Sequence, residues 1–170
     1  LEALLARVMG DGRPAWEGIP AGLPFREVAL SGDGEPTLSP NFREIVEAVV
    51  GLRARRHFPF FKIVLITNGT GLHFPQVRAG LGVLNPRDEI WVKLDVGTTA
   101  GFELVLKNIR ELGRQRPIVI QSLFPMLEGR GPDEEEIAAY ARLLAELREA
   151  GAQISLVQVY SAHRPAVNAG

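Results

Sequence analysis

The sequence predicts an α/β fold built on a parallel sheet, and three observations point there. Short runs rich in β-branched residues, such as Lys62-Ile63-Val64-Leu65-Ile66-Thr67, alternate with longer segments of helical periodicity. The runs are apolar on both parities, as strands covered on both faces require. Glycine and proline fall between the elements rather than collecting in one linker, so residues 1–170 read as a single domain. Strands joined by right-handed helical crossovers leave two architectures open, a doubly wound sheet and a sheet curled toward a barrel.

The elements follow in order. Leu1 to Met9 reads as the end of a helix, with Leu1, Leu4, Leu5 and Val8 on one side, and Gly10 to Pro24 as a Gly/Pro-rich connector. Glu27 to Ser31 is the first strand. Ser39 is placed to cap a helix with Pro40 at its first position, and Phe42, Ile45, Val46, Val49, Val50 and Leu52 form its apolar stripe, ending near Arg56. Lys62 to Thr67 is the second strand, Asn68-Gly69 a turn, and Pro75 to Leu84 a short helix. Ile90 to Val96 is the third strand and Phe102 to Leu112 the next helix. Ile118 to Phe124 is the fourth strand, and the loop Pro125 to Pro132 enters a long helix. The acidic first turn Asp133-Glu134-Glu135-Glu136 suits the positive end of that helix, Gly151 closes it, and Ile154 to Tyr160 is the fifth strand.

A hydrophobic content of 46% over 170 residues suffices for one buried core, and no stretch has the length of a membrane span or the form of a secretory leader. Cytoplasmic residence without membrane association is the expectation. The net charge of −1 creates no overall field toward nucleic acid. There is no cysteine, which excludes disulfides and thiolate-held metal within this sequence, and His57, His73 and His163 lack the spacing of a metal pair. No metal ligand is assigned. The basic groups Arg53, Arg55, Arg56, His57 and Arg110, Arg114, Arg116 read as helix ends complementing the macrodipole.

The segment Ser31-Gly32-Asp33-Gly34-Glu35-Pro36-Thr37-Leu38 joins the first strand to its helix, and its two glycines let backbone approach a ligand. A phosphate cradle is disfavoured, because Asp33 and Glu35 put two negative charges where the phosphate would lie. A cationic or amino-bearing ligand fits better, while a carboxylate satisfied by nearby N–H groups is the purely structural reading of Glu35. Each strand ends in polar residues, including Thr67-Asn68, Lys93 with Asp95, Gln121-Ser122, and Gln158 with Ser161, and parallel α/β folds gather such ends at one rim. In the third strand alternation places Trp91, Lys93 and Asp95 on one face against Ile90, Val92, Leu94 and Val96 on the other. Lys93 and Asp95 then either neutralise each other or sit at a wet edge, or they bind a polar, zwitterionic or hydroxyl-bearing ligand.

These residues carry a resemblance. Val28 to Leu38 resembles the Gly-Gly-Glu region of radical S-adenosylmethionine (SAM) enzymes, with one extra residue; Leu65-Ile66-Thr67-Asn68-Gly69 and Trp91-Val92-Lys93-Leu94-Asp95 are similar to that superfamily's next two strand motifs. Ile118 to Phe124 and Leu156 to Tyr160 follow in the same order and are most similar to the branch of wyosine synthetases, which modify a tRNA guanine. The resemblance implies a partial (β/α)6 barrel, lacking its first strand here, that holds SAM against a 4Fe-4S cluster and generates a 5′-deoxyadenosyl radical.

It also implies the roles of individual residues. Gly32, Asp33, Gly34 and Glu35 would form the cofactor-binding loop, with Gly34 and Glu35 at the methionine amino group. Asn68, Lys93 and Asp95 would serve the ribose hydroxyls and the methionine carboxylate, or in the case of Lys93 the substrate. Gln121 and the Val159 backbone would lie near the carboxylate and adenine. The implied partners are SAM, a nucleoside or tRNA substrate and an external electron donor. The superfamily holds its cluster with a CxxxCxxC loop that this sequence lacks, so the expectation is a portion of a longer enzyme, inactive by itself and with no catalytic residue assigned. The alternative is a cluster-less α/β module that binds a nucleoside-like ligand or a partner without catalysis.

Overall fold

A computed structural model describes residues 25–95, 99–125 and 131–161, together with Glu2, Ala3 and Ala6. Among the described residues from 25 onward, five strands alternate with four helices. They are β1 (Glu27–Leu30), α1 (Phe42–Ala54), β2 (Lys62–Thr67), α2 (Pro75–Gly82), β3 (Glu89–Lys93), α3 (Thr99–Gly113), β4 (Ile118–Leu123), α4 (Glu134–Glu149) and β5 (Ile154–Tyr160), with a 3-10 turn over Pro36–Leu38. Every predicted strand is present.

The sheet is wholly parallel and its order is β1-β2-β3-β4-β5. This order decides between the two architectures. Right-handed crossovers that always step in the same direction place every connecting helix on the same face, whereas a doubly wound sheet reverses direction and uses both. The fold is therefore singly wound, the arrangement from which β/α barrels are built.

The core lies between the sheet and its helices. Ile63 and Leu65 of β2, Ile90 and Val92 of β3 with Leu94 just beyond it, and Ile118 and Ile120 of β4 form one buried cluster with Val46 of α1, Val77 of α2, Ile109 of α3 and Leu147 of α4. The second face carries the opposite parity: Ala29, Val64, Ile66, Trp91, Lys93, Val119 and Gln121, in register across neighbouring strands. The edge strand β5 is the least covered, with Leu156, Val159 and Tyr160 exposed.

Several local expectations shift. The first crossover helix begins at Phe42 rather than Pro40, because Pro36 starts a 3-10 turn and the chain then extends at Ser39; Asn41 occupies the cap position without a side-chain cap bond. The short helix ends at Gly82, two residues early, and α3 begins at Thr99, three residues before the expected Phe102. The α4 start is a full capping box, with Glu136 N donating to Asp133 at 2.8 Å and Asp133 N donating to Glu136 at 3.0 Å. Glu2, Ala3 and Ala6 are helical, while Leu1, Leu4, Leu5, Val8, the connector Gly10 to Pro24 and Val96 lie outside the described residues.

The reading of the basic helix ends requires correction for two arginines. Arg53 turns inward to Asp88, and Arg116 donates to the carbonyls of Asn85 at 3.1 Å and Asp88 at 2.8 Å. Both close the N-terminal side of the sheet. Burial lowers the Arg116 pKa, partly offset by the Asp88 charge.

Candidate functional site

The C-terminal ends of the strands gather the predicted residues into two groups. The first is the pair of loops after β1 and β2. Gly32, Asp33 and Gly34 are exposed, and Gly34 has φ +120°, a conformation that side-chain-bearing residues rarely adopt. The chain then brings Glu35 back toward the neighbouring loop.

Glu35 is heavily engaged. Its Oε1 accepts from Thr37 N at 3.1 Å, Thr37 Oγ1 at 2.5 Å and Thr67 Oγ1 at 2.5 Å, and its Oε2 accepts from Asn68 N at 2.6 Å. Thr37 and Thr67 are both buried. A Cβ placed on Gly71 would collide with Thr37 Oγ1 and lie 2.9 Å from the Thr37 carbonyl oxygen, so the two loops meet where only glycine fits. The carboxylate thus joins the β1 loop to the β2 loop. Two of its four bonds come from backbone N–H groups, as the purely structural reading expects, and the other two from the Thr37 and Thr67 hydroxyls.

Asn68 forms an Asx turn, its Oδ1 accepting from Thr70 N at 2.9 Å and Thr70 Oγ1 at 2.7 Å. The next residue is fixed from both sides: Gly69 N donates to Thr67 Oγ1 at 3.0 Å, and Gly69 O accepts from the buried Asn108 Nδ2 at 2.7 Å. Backbone held this firmly fixes the point from which the Asn68 side chain projects.

The second group lies on β3, β4 and β5. Lys93 pairs with Gln121 and Gln121 with Gln158 in register, a polar row on the second face directly above the row Trp91, Val119 and Leu156. Gln121 Nε2 donates to Gln158 Oε1 at 2.8 Å. Lys93 is half-buried and Asp95 exposed, and no ion pair joins them among the described residues. Mutual neutralisation therefore does not explain them. Burial raises the Tyr160 pKa, and the neighbouring Asp95 charge raises it further.

Two predicted polar ends belong elsewhere. Ser122 is buried on the helical side, where its hydroxyl shares a 2.7 Å hydrogen bond with Tyr140, whose own pKa burial raises. Thr67 faces the same side and serves Glu35. Val159 pairs with Ser122 and its side chain is exposed. At the opposite end of the second face, Lys62 bridges Glu89 at 2.8 Å and Glu27 at 3.4 Å, and Trp91 Nε1 donates to Glu89 at 2.8 Å. Burial pushes the Glu89 carboxyl up, but Lys62 and Trp91 together hold it below its ordinary value.

Two cavities stand out among the described residues. One of about 450 Å³ adjoins the β1 loop and is lined by Leu30, Gly32, Asp33, Glu35, Leu38 and Ile45. A larger one of about 740 Å³ lies between α2 and α3 and runs to the N-terminal strand ends, lined by Arg78, Asn85, Glu89, Glu111 and Arg116. The larger one is remote from the predicted chemistry.

Sequence reasoning missed Thr37, Asp88 and Tyr160. Thr37 had one usable signal, a hydroxyl two residues after a carboxylate in a turn. Asp88 had none. Among the described residues no group of three His, Cys, Asp or Glu side chains is placed to hold a metal ion, and no helix is long and apolar enough to cross a membrane. Comparison with family models, curated proteins and solved structures finds no match to the chain.

Proposed function

We propose that the chain is the SAM-binding core of a radical SAM enzyme, acting on a nucleoside or a tRNA guanine. The observation that supports this most is the rim of the singly wound sheet, where two preformed loops and the Lys93, Gln121, Gln158 row stand at the C-terminal strand ends. The donor set suits a zwitterionic amino acid joined to a nucleoside. The Lys93 ammonium can pair a carboxylate, Asp95 can accept from ribose hydroxyls, and Asn68 and Gln121 carry amides.

The 4Fe-4S cluster does not fit the residues present. The sequence contains no cysteine, and no alternative ligand group stands among the described residues. This chain's own residues would bind and orient SAM. The absence of thiolates favours a second reading, a binding module for a nucleoside-like ligand without catalysis. A CxxxCxxC in the source transcript upstream of Leu1 selects the enzyme.

Calorimetric titration of the chain with SAM tests the shared core of both readings. Asp95→Ala and Lys93→Ala should each weaken binding about tenfold, the size of one charged hydrogen bond. Absence of SAM binding by the unaltered chain would overturn the proposal.

A further inference from the structure

We propose that Glu35 is a positioning residue that works through Asn68, fixing the backbone from which that side chain, its amide oriented by Thr70, donates to a ligand. The inference rests on the SAM reading for the identity of the ligand and on the geometry of the two loops for the mechanism.

The orientation of the Asn68 amide is determined by its neighbour. Thr70 N–H is an obligatory donor and lies 2.9 Å from Oδ1, so the oxygen must face it and the amide cannot flip. The Thr70 hydroxyl at 2.7 Å takes up the same oxygen again. Nδ2, with two N–H bonds, is left without a partner among the described residues. A half-buried group with only donors to offer selects an acceptor: a carboxylate oxygen, a ribose hydroxyl oxygen or an unprotonated ring nitrogen. It rejects an ammonium.

Glu35 sets the position of that amide from behind. Its Oε2 holds Asn68 N at 2.6 Å, and its Oε1 holds the Thr67 hydroxyl, which in turn receives Gly69 N at 3.0 Å. Three donors already crowd the two lone pairs of Oε1, and Oε2 retains one. The carboxylate therefore fixes consecutive N–H groups at 68 and 69, while Asn108 fixes the Gly69 carbonyl. Asn68 is the side chain in this network with donors left to give.

A double-mutant cycle on the whole chain separates this role from direct contact. Glu35→Gln and Asn68→Ala should each weaken SAM binding about tenfold, and the double variant should also bind about tenfold more weakly, because both changes remove the same interaction. A loss of about a hundredfold in the double variant would mean that Glu35 touches the ligand itself and would overturn the proposal.

A ligand-free measurement decides the mechanism independently. In Glu35→Gln, and in the near-isosteric Thr67→Val should the first fail to fold, the Asn68 side-chain amide resonances should move and Asn68 N–H should lose protection from hydrogen exchange. Unchanged resonances and protection would overturn the positioning role. If SAM fails to bind the unaltered chain while those resonances still move in the variants, the functional reading falls and the positioning role stands.

Discussion

Asp88 grips Arg53 with both carboxylate oxygens, at 2.5 Å and 3.0 Å, while the same carboxylate receives Ile63 N and Asn85 N at 2.8 Å each. One buried side chain thereby ties the end of α1, the start of β2 and the turn before β3 together beneath the sheet. The Asp88 side chain has no exposed surface and Arg53 has little, so each is the other's main compensation for lost hydration.

Removing one partner should therefore be severe. Asp88→Ala is expected to destabilise the chain by about 3–5 kcal/mol, since it leaves the Arg53 guanidinium with only the Phe61 carbonyl, at 3.2 Å, as acceptor among the described residues and strands the N–H groups of Ile63 and Asn85. Urea denaturation reads the effect; a loss below about 1 kcal/mol would show that water replaces the carboxylate freely.

The same carboxylate governs acid stability. Burial pushes the Asp88 carboxyl up, yet Arg53 and the two backbone N–H groups pull it below its ordinary value of 3.8. A group whose pKa is lowered by folding stabilises the fold above its unfolded value, and the contribution fades as pH falls from about 5 through the folded value. Stability should drop along that limb, and Asp88→Asn should flatten it. Parallel acid titrations by circular dichroism check this.

The two glycines of the β1 loop should behave differently. Gly34 sits at φ +120°, so Gly34→Ala is expected to cost about 1–3 kcal/mol of backbone strain. Gly32 has no positive φ, and no atom lies within 4 Å of where its Cβ would stand, so Gly32→Ala should leave the melting temperature essentially unchanged. Equal effects from both substitutions would contradict the loop geometry.

Glu35→Ala should lower stability even without ligand. It would leave buried Thr37 and Thr67 hydroxyls and the N–H groups of Thr37 and Asn68 short of an acceptor, a loss of about 2–3 kcal/mol. Lys93→Ala, by contrast, should stay within about 0.5 kcal/mol, because no ion pair depends on Lys93 among the described residues. Thermal melts of the two variants distinguish a carboxylate that builds the site from an ammonium that is available to serve it.

The local signals in the chain were readable because their physics is local. The β-branched run at Lys62 to Thr67 became β2 residue for residue, and the acidic turn at Asp133 became a capping box, since both depend on neighbours within a few residues. Alternation held within β3, where Ile90 and Val92 are buried and Trp91 and Lys93 are not, but the strand ends at Lys93 and leaves Asp95 beyond it. The helix starting at Phe42 was displaced because Pro36 and Glu35 formed a competing turn first.

By itself, then, the sequence determined the parallel α/β class, the five strands and the rim on which polar residues collect, because periodicity and turn chemistry are written in consecutive residues. Tertiary structure alone decided the singly wound order and the separation of Lys93 from Asp95. It also decided the partners of Glu35, of which Thr67 and Asn68 lie 32 and 33 residues away. A carboxylate beside glycines looks the same in sequence whether it faces a ligand or a neighbouring loop; only packing brings the competing donors close enough to choose.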